Sequence, residues 1–132
     1  MATTPESALQ AKSLSASLTV DDLQKSIQFF EGLGFAVDEK WEENGQLLGV
    51  MMHAGAAHLG LTQDDWKKGR DRTKGLGMRV FIETGQDIDV LAARAKAAGV
   101  TLDKEPHDTP WGTRAFEVTE PSGFKLTISS EG

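Results

Sequence analysis

Leu14-Ser-Ala-Ser-Leu-Thr-Val20, followed at once by Asp21-Asp-Leu-Gln-Lys-Ser-Ile-Gln-Phe-Phe-Glu-Gly-Leu-Gly34, is the stretch on which the fold turns. Its first seven residues alternate with a period of two, so Leu14, Ala16, Leu18 and Val20 share one face of a strand and Ser15, Ser17 and Thr19 the other. In the next fourteen the period lengthens to three or four, and Leu23, Ile27, Phe30 and Leu33 form the apolar stripe of a helix. Asp21 and Asp22 offer carboxylates to the open N–H groups at the helix start, and Gly34 supplies the left-handed residue that ends it. A half-buried strand feeding directly into an amphipathic helix must cover that helix with further strands.

Those strands follow. Phe35-Ala-Val-Asp-Glu-Lys-Trp41 reads as one, Asn44-Gly45 has the two residues a type I′ hairpin demands, and Leu47 to His53 reads as the next. Ala54-Gly55-Ala56 turns the chain again into His58 to Thr62. A polar stretch, residues 64–75, comes between this half and the rest. The second half repeats the order: a strand over Met78 to Glu83, a helix capped by Asp87 with Ile88, Leu91 and Ala95 inward and Gly99 at its end, then strands at Val100 to Pro106, Arg114 to Val118 and Phe124 to Ile128. Turns at Pro110-Trp-Gly112 and Pro121-Ser-Gly123 separate them. The duplication shows in the residues, since Gly34-Phe-Ala-Val-Asp38 after the first helix matches Gly99-Val-Thr-Leu-Asp103 after the second. The expected class is α+β, two βαβββ modules forming a curved mixed sheet around a central cavity. Residues 1–13 are expected to be a flexible tail, 14–129 one domain, with module one at 14–63, a linker at 64–75 and module two at 76–129.

Composition limits what such a domain does. The chain has 132 residues, enough for one compact domain that buries roughly two-thirds of its unfolded surface. It has no cysteine, which excludes disulfides, thiolate metal sites and a cysteine nucleophile and fits a reducing, cytoplasmic setting. The start lacks the basic and apolar regions of a secretion signal, and no stretch approaches the roughly 20 apolar residues that span a bilayer. A net charge of −6 argues against nucleic acid, which calls for a broad basic face. A small-molecule ligand is the expected partner, with no nucleic acid and no membrane.

Several segments in this order resemble the vicinal oxygen chelate superfamily, which contains glyoxalase I, extradiol dioxygenases and bleomycin-resistance proteins. They are Leu18-Thr-Val-Asp-Asp22, Ser26-Ile-Gln-Phe-Phe30, Leu33-Gly-Phe35, Asp87-Ile-Asp89, Ala97-Ala-Gly-Val100, Trp111-Gly-Thr-Arg-Ala-Phe116 and Glu120-Pro-Ser-Gly-Phe-Lys-Leu126. The resemblance covers about residues 14–129 and implies paired βαβββ modules, commonly assembled as a homodimer. Catalytic members hold a divalent metal with four inward ligands, typically His, Gln or Glu, from the first, fourth, fifth and eighth strands. Carried over by position, those four places fall on Ser15, Gly60, Met78 and Thr127. A hard divalent ion wants imidazole nitrogens or carboxylates, and this set offers two neutral hydroxyls and a thioether. The resemblance therefore implies the fold without the metal and without a cofactor.

Small residues at those places, with Ser17 and Thr19, widen a mildly polar pocket. The favoured reading is a metal-free binding protein that sequesters a planar or anionic organic compound; the rival is a lyase, isomerase or dioxygenase-like enzyme of the same superfamily. Arg79 and Arg114 are candidates to fix an anion, because a guanidinium binds a carboxylate or phosphate bidentately. Trp111 is a ligand wall or a structural turn residue, and Trp66 a lid or a dimer contact. The linker, with Lys67, Lys68, Arg70, Arg72 and Lys74, is a solvated loop or a cationic gate. His53 and His58 flank a turn and can face one another, but a pair lacking a third ligand reads first as rim polarity. Glu83 and Glu117 form an acid/base pair only if both face inward. No residue is assigned a catalytic role.

Overall fold

The computed structural model describes residues 5–131, so residues 1–4 of the expected tail lie outside the described residues. The elements run β1 (Ala16–Val20), α1 (Leu23–Leu33), β2 (Ala36–Glu43), β3 (Gln46–Ala54), β4 (Ala57–Gln63), β5 (Val80–Thr84), α2 (Ile88–Ala97), β6 (Leu102–Asp108), β7 (Arg114–Thr119) and β8 (Lys125–Ser130). Strand, helix and three strands, twice over, is the order expected from the duplicated pattern. Each module makes its own four-stranded mixed sheet, in the order β1-β4-β3-β2 and β5-β8-β7-β6. In both, the first strand runs parallel to the last and the others pair antiparallel.

The punctuation works as the residue types require. Asp22 caps α1 by accepting the Lys25 N–H at 3.2 Å, and Gly34 leaves the helix at φ 109°, where a side chain would be strained. Asp87 caps α2 through Val90. Asn44 and Gly45 adopt φ 52° and 76°, as the β2–β3 hairpin needs. β1 begins two residues later than the alternation suggests, and Leu14 is 95 % exposed. The parallel ladder opens at Ala16 opposite Leu59.

One apolar core joins both modules. Leu18, Val20, Val50, Met52, Leu59 and Leu61 point from the first sheet onto Leu23, Ile27 and Phe30 of α1; Phe116, Val118, Leu126 and Ile128 do the same beneath Ile88, Ala92 and Ala95 of α2. Each large side chain withdrawn in this way contributes about 1.5–3 kcal/mol. The helices touch one another, and a Cβ at Gly32 would come within 2.9 Å of Val100. Glu120, fully buried, locks the joint: it accepts hydrogen bonds from Ser26 Oγ of α1 and from the Ser122 N–H at 2.7 Å. Gly75 packs so closely on the same turn that a Cβ there would sit 2.3 Å from the Gly123 carbonyl oxygen.

Because the helices take the centre, the two sheets remain separate. Each sheet gives one face to its helix and leaves the other open, with Gly60 on the open face of the first and Thr127 on that of the second.

Candidate functional site

Strand alternation decides what each sheet shows on the face away from its helix. In module one that face carries Ser17, Gly60 and Met51 side by side, since Ser17 pairs with Gly60 and Gly60 with Met51. A Cβ at Gly60 would make ordinary contact with Ser17 Oγ at 3.4 Å, and Ser17 Oγ lies 3.4 Å from the Thr62 hydroxyl. Ser15 is exposed just before β1. In module two the corresponding face carries Phe81, Thr127 and Glu117 in register. Arg79, just before β5, donates to Thr127 Oγ1 at 3.1 Å and lies 3.3 Å from Glu117 Oε1. Met78, beside it, is 42 % exposed.

The family's four ligand places thus hold an exposed hydroxyl, a glycine, a thioether and a hydroxyl already engaged by a guanidinium. They do not fit a divalent metal: the donors are poor, and the Arg79 cation stands beside one of them. Glu117 lies on this face in the Phe81–Thr127 row, and alternation puts Glu83 on the same side one row further on, opposite Ser129, but Glu83 is exposed and Glu117 is engaged by Arg79 rather than by Glu83.

Most charged side chains of the linker are exposed, but Asp64 and Lys74 are drawn inward. Asp64, buried, accepts from the Trp66 N–H and from Arg72 at 2.8 Å each, and Lys74 lies 2.8 Å away while also bonding Asp21. The Lys74 ammonium, then the Trp66 amide and Arg72, hold the Asp64 carboxyl well below the ordinary carboxylate range. Burial pushes Lys74 down, yet hydrogen bonds with Asp21 and Asp64 outweigh it and leave Lys74 raised. Trp66, in a left-handed conformation at φ 61°, lies under Arg70 and Lys74 with the cations 4.8 and 4.6 Å from its ring. Its ring is thus held within the strap by two of the strap's own cations.

Folding the strap back creates a cleft of about 600 Å³ against module two. Arg72, Lys74, Arg79 and Lys125 line it together with Met78 and Thr119, and no carboxylate does. Arg72, Lys74 and Arg79 each have an acidic partner, but Lys125 makes no ion pair among the described residues. On the other side of the strap a cleft of about 580 Å³ has the opposite character, with Asp22, Asp64 and Asp65 beside Trp66 and Leu47. A cleft of about 740 Å³ between the β3–β4 turn and α2, floored by Leu33, Ile82 and Leu91, takes in only Glu83 of the residues nominated from sequence.

Arg114 leaves the set. It sits on the helix side of β7, where it donates to both oxygens of Asp89 on α2 at 2.7 and 2.9 Å and to Asp108 at 3.0 Å. Arg114 holds Asp89 below its usual range, and Asp89 and then Asp108 raise Arg114 further. Trp111 projects from its turn, 71 % exposed, and lines none of the principal clefts. The structure therefore brings Met78 and Arg79 together, keeps Thr127 beside Arg79, and leaves Ser15, Ser17 and Gly60 on the other sheet. Lys125 was missed because a lysine at a strand start reads as ordinary surface.

Sequence reasoning also missed Asp38. The ladder slips between Val37 and Glu39, and the bulged Asp38 turns toward β3 and β4. His53 Nδ1 lies against Asp38 Oδ1, and His58 Nε2 is 4.0 Å from Oδ2. His53 and His58 are directly opposed across the β3–β4 hairpin, as their flanking of the turn suggested.

Comparison with known proteins places this architecture. The family described as the Glyoxalase/Bleomycin resistance protein/Dioxygenase superfamily matches residues 12–128. A superfamily member from Sphaerobacter thermophilus DSM 20745 is similar in structure, with TM-score 0.71 and 26% identity over 92% of this chain and 98% of that one. TioX from Micromonospora sp. ML1 has TM-score 0.73 at 17% identity, over 91% and 98%. A glyoxalase-related enzyme from Fulvimarina pelagi has TM-score 0.68 at 18% identity, over 92% and 89%. The last two show likeness of fold alone. No curated protein matches the sequence. No helix among the described residues is long and apolar enough to cross a membrane.

Proposed function

The chain belongs to the glyoxalase/bleomycin resistance protein/dioxygenase superfamily, and on that premise we propose that it binds a small organic anion, without a metal at the family's ligand positions. The observation that carries the reading is the cleft between strap and module two, lined by four basic side chains and no acidic one. Arg79 uses part of its five-donor fork on Thr127 and Glu117, and its remaining N–H groups suit a carboxylate or phosphate. Lys125, without an acidic partner, adds a second positive charge across the same opening. Met78 gives the ligand an apolar surface to lie on. A volume of about 600 Å³ suits a compact organic molecule.

A second copy of the chain belongs to the same reading. Leu76, Met78 and Phe81, near one another in sequence, are exposed, Phe81 on the edge strand β5, and exposed apolar side chains on and before an edge strand favour burial against another surface.

Thermal melts with a set of aryl carboxylates and organic phosphates, each matched by its neutral ester or alcohol, test the function. Binders among the anions are expected to raise the melting temperature in proportion to log concentration, and Arg79→Met and Lys125→Met to remove that rise. If the neutral analogues stabilise equally, or Arg79→Met leaves the response untouched, the anion reading is wrong.

A further inference from the structure

We propose that His53 and His58, opposed across the β3–β4 hairpin with His53 set by the bulged Asp38, chelate a borderline transition-metal ion of the zinc, nickel or copper kind. The site is separate from the family's ligand places and from the basic cleft.

The backbone brings the two rings together without adjustment. The hairpin turns through Gly55 and Ala56, with Ala54 paired to Ala57 and His53 to His58. Directly opposed residues of an antiparallel pair have Cβ atoms roughly 4.5–5.5 Å apart, close enough for two imidazoles to share one ion. Gly55 takes φ 58°, which holds the tight turn and so the register of the pair.

Asp38 fixes which nitrogen is offered. His53 Nδ1 is buried, has no hydrogen-bond partner of good geometry, and faces the Asp38 carboxylate. A ring nitrogen against a carboxylate carries the proton, which leaves Nε2 with its lone pair free for a metal. A carboxylate behind a histidine is the usual second partner of a metal-binding imidazole, orienting the ring and raising its basicity. His58 Nε2 lies 4.0 Å from Oδ2, beyond hydrogen-bond reach, so the carboxylate does not engage it. Both rings remain partly open to solvent, at 39 and 47 % side-chain exposure, so an ion can enter and water can complete its coordination. No ready-made group of three or more His, Cys, Asp or Glu side chains holds an ion among the described residues, so the proposal is a two-imidazole chelate. Imidazole pairs favour zinc, nickel and copper over magnesium or calcium.

The pair is specific to module one. In module two the equivalent bulge residue is Asp103, which accepts a hydrogen bond from Thr119, and the residue opposite Thr119 is Lys125. That arrangement has a carboxylate but no imidazole.

Tag-free protein titrated with Ni²⁺ or Zn²⁺ alone tests the inference by calorimetry, with histidine ring signals followed by NMR. One ion per chain is expected, with the His53 and His58 signals shifting together and His107 unmoved. Asp38→Asn should weaken binding by about 10- to 100-fold, the usual cost of losing such a partner. His53→Gln and His58→Gln should each abolish it, with circular dichroism showing the fold intact, and His107→Gln should change nothing. Arg79→Met should also leave it unchanged, which separates this site from the anion cleft. Absence of saturable binding, persistence of binding in the double His53→Gln, His58→Gln variant, or equal loss in His107→Gln would each overturn the proposal.

Discussion

The two modules repeat one backbone and put different chemistry on it. Asp22 and Asp87 cap the helices, Gly34 and Gly99 end them in the left-handed region, and Asp38 and Asp103 each occupy the bulge that follows. At equivalent helix positions, however, Ile27 and Phe30 of α1 face Ala92 and Ala95 of α2. Beside the bulges, His53 and His58 stand where module two has Thr119 and Lys125. The duplicated frame determines where a side chain can be presented; substitution within the frame determines what it does there. Module one is bulky in its core and imidazole-bearing at its far end. Module two has small residues on its helix and places Arg79 and Lys125 beside the strap.

The largest test of that contrast lies in the helices. Phe30→Ala should destabilise by about 3–5 kcal/mol through lost burial and a cavity, read from urea unfolding at neutral pH. Ala95→Gly at the matching place in α2 should cost only about 1 kcal/mol, the difference in helix propensity. Equal losses would show that both modules depend on their helices to the same degree.

The strap between the modules gives a pH-dependent effect. Asp64 titrates below its unfolded value, so its contribution to stability is present above the ordinary carboxylate pKa near 4 and is lost as pH falls through and below that value. Lys74 titrates above its unfolded value, so its share is present below about pH 10 and is lost as pH rises beyond that. Asp64→Asn should lower the melting temperature at pH 7 and flatten its decline between about pH 4 and pH 2. An unchanged acid limb in the variant would assign that decline to other carboxylates.

The smallest effect is expected at the second bulge. Asp103 is exposed and accepts one side-chain hydrogen bond, from Thr119, so Asp103→Ala should cost under about 1 kcal/mol in thermal or urea unfolding. A larger loss would mean that the bulge itself depends on that contact.

Much of the frame was legible in the residues because it rests on local rules. The alternation of Leu18 and Val20, the stripe of Leu23, Ile27 and Phe30, the Asn44-Gly45 turn and the matching Gly34 and Gly99 each depend only on near neighbours. The poverty of Ser15, Gly60, Met78 and Thr127 as metal ligands was legible too, since donor chemistry belongs to the residue type. The site was less so. Arg114 and Arg79 look alike in sequence, yet one lies on the helix side of its strand and bonds Asp89, while the other stands beside Thr127. Asp38 gave no signal, because a bulge is a slip between two strands and cannot be read from one.

The sequence by itself determined the duplicated order of strands and helices, the turns and caps between them, and the absence of good ligands at the family's places, all through short-range geometry and side-chain chemistry. Tertiary structure alone decided that the helices, not the open sheet faces, join the modules, through Ser26 and the buried Glu120 94 residues away. It decided that the charged linker is a strap gathered on Asp64, and that Asp38 meets His53. Contacts between segments far apart in the chain depend on how whole elements pack, and no local pattern contains that information.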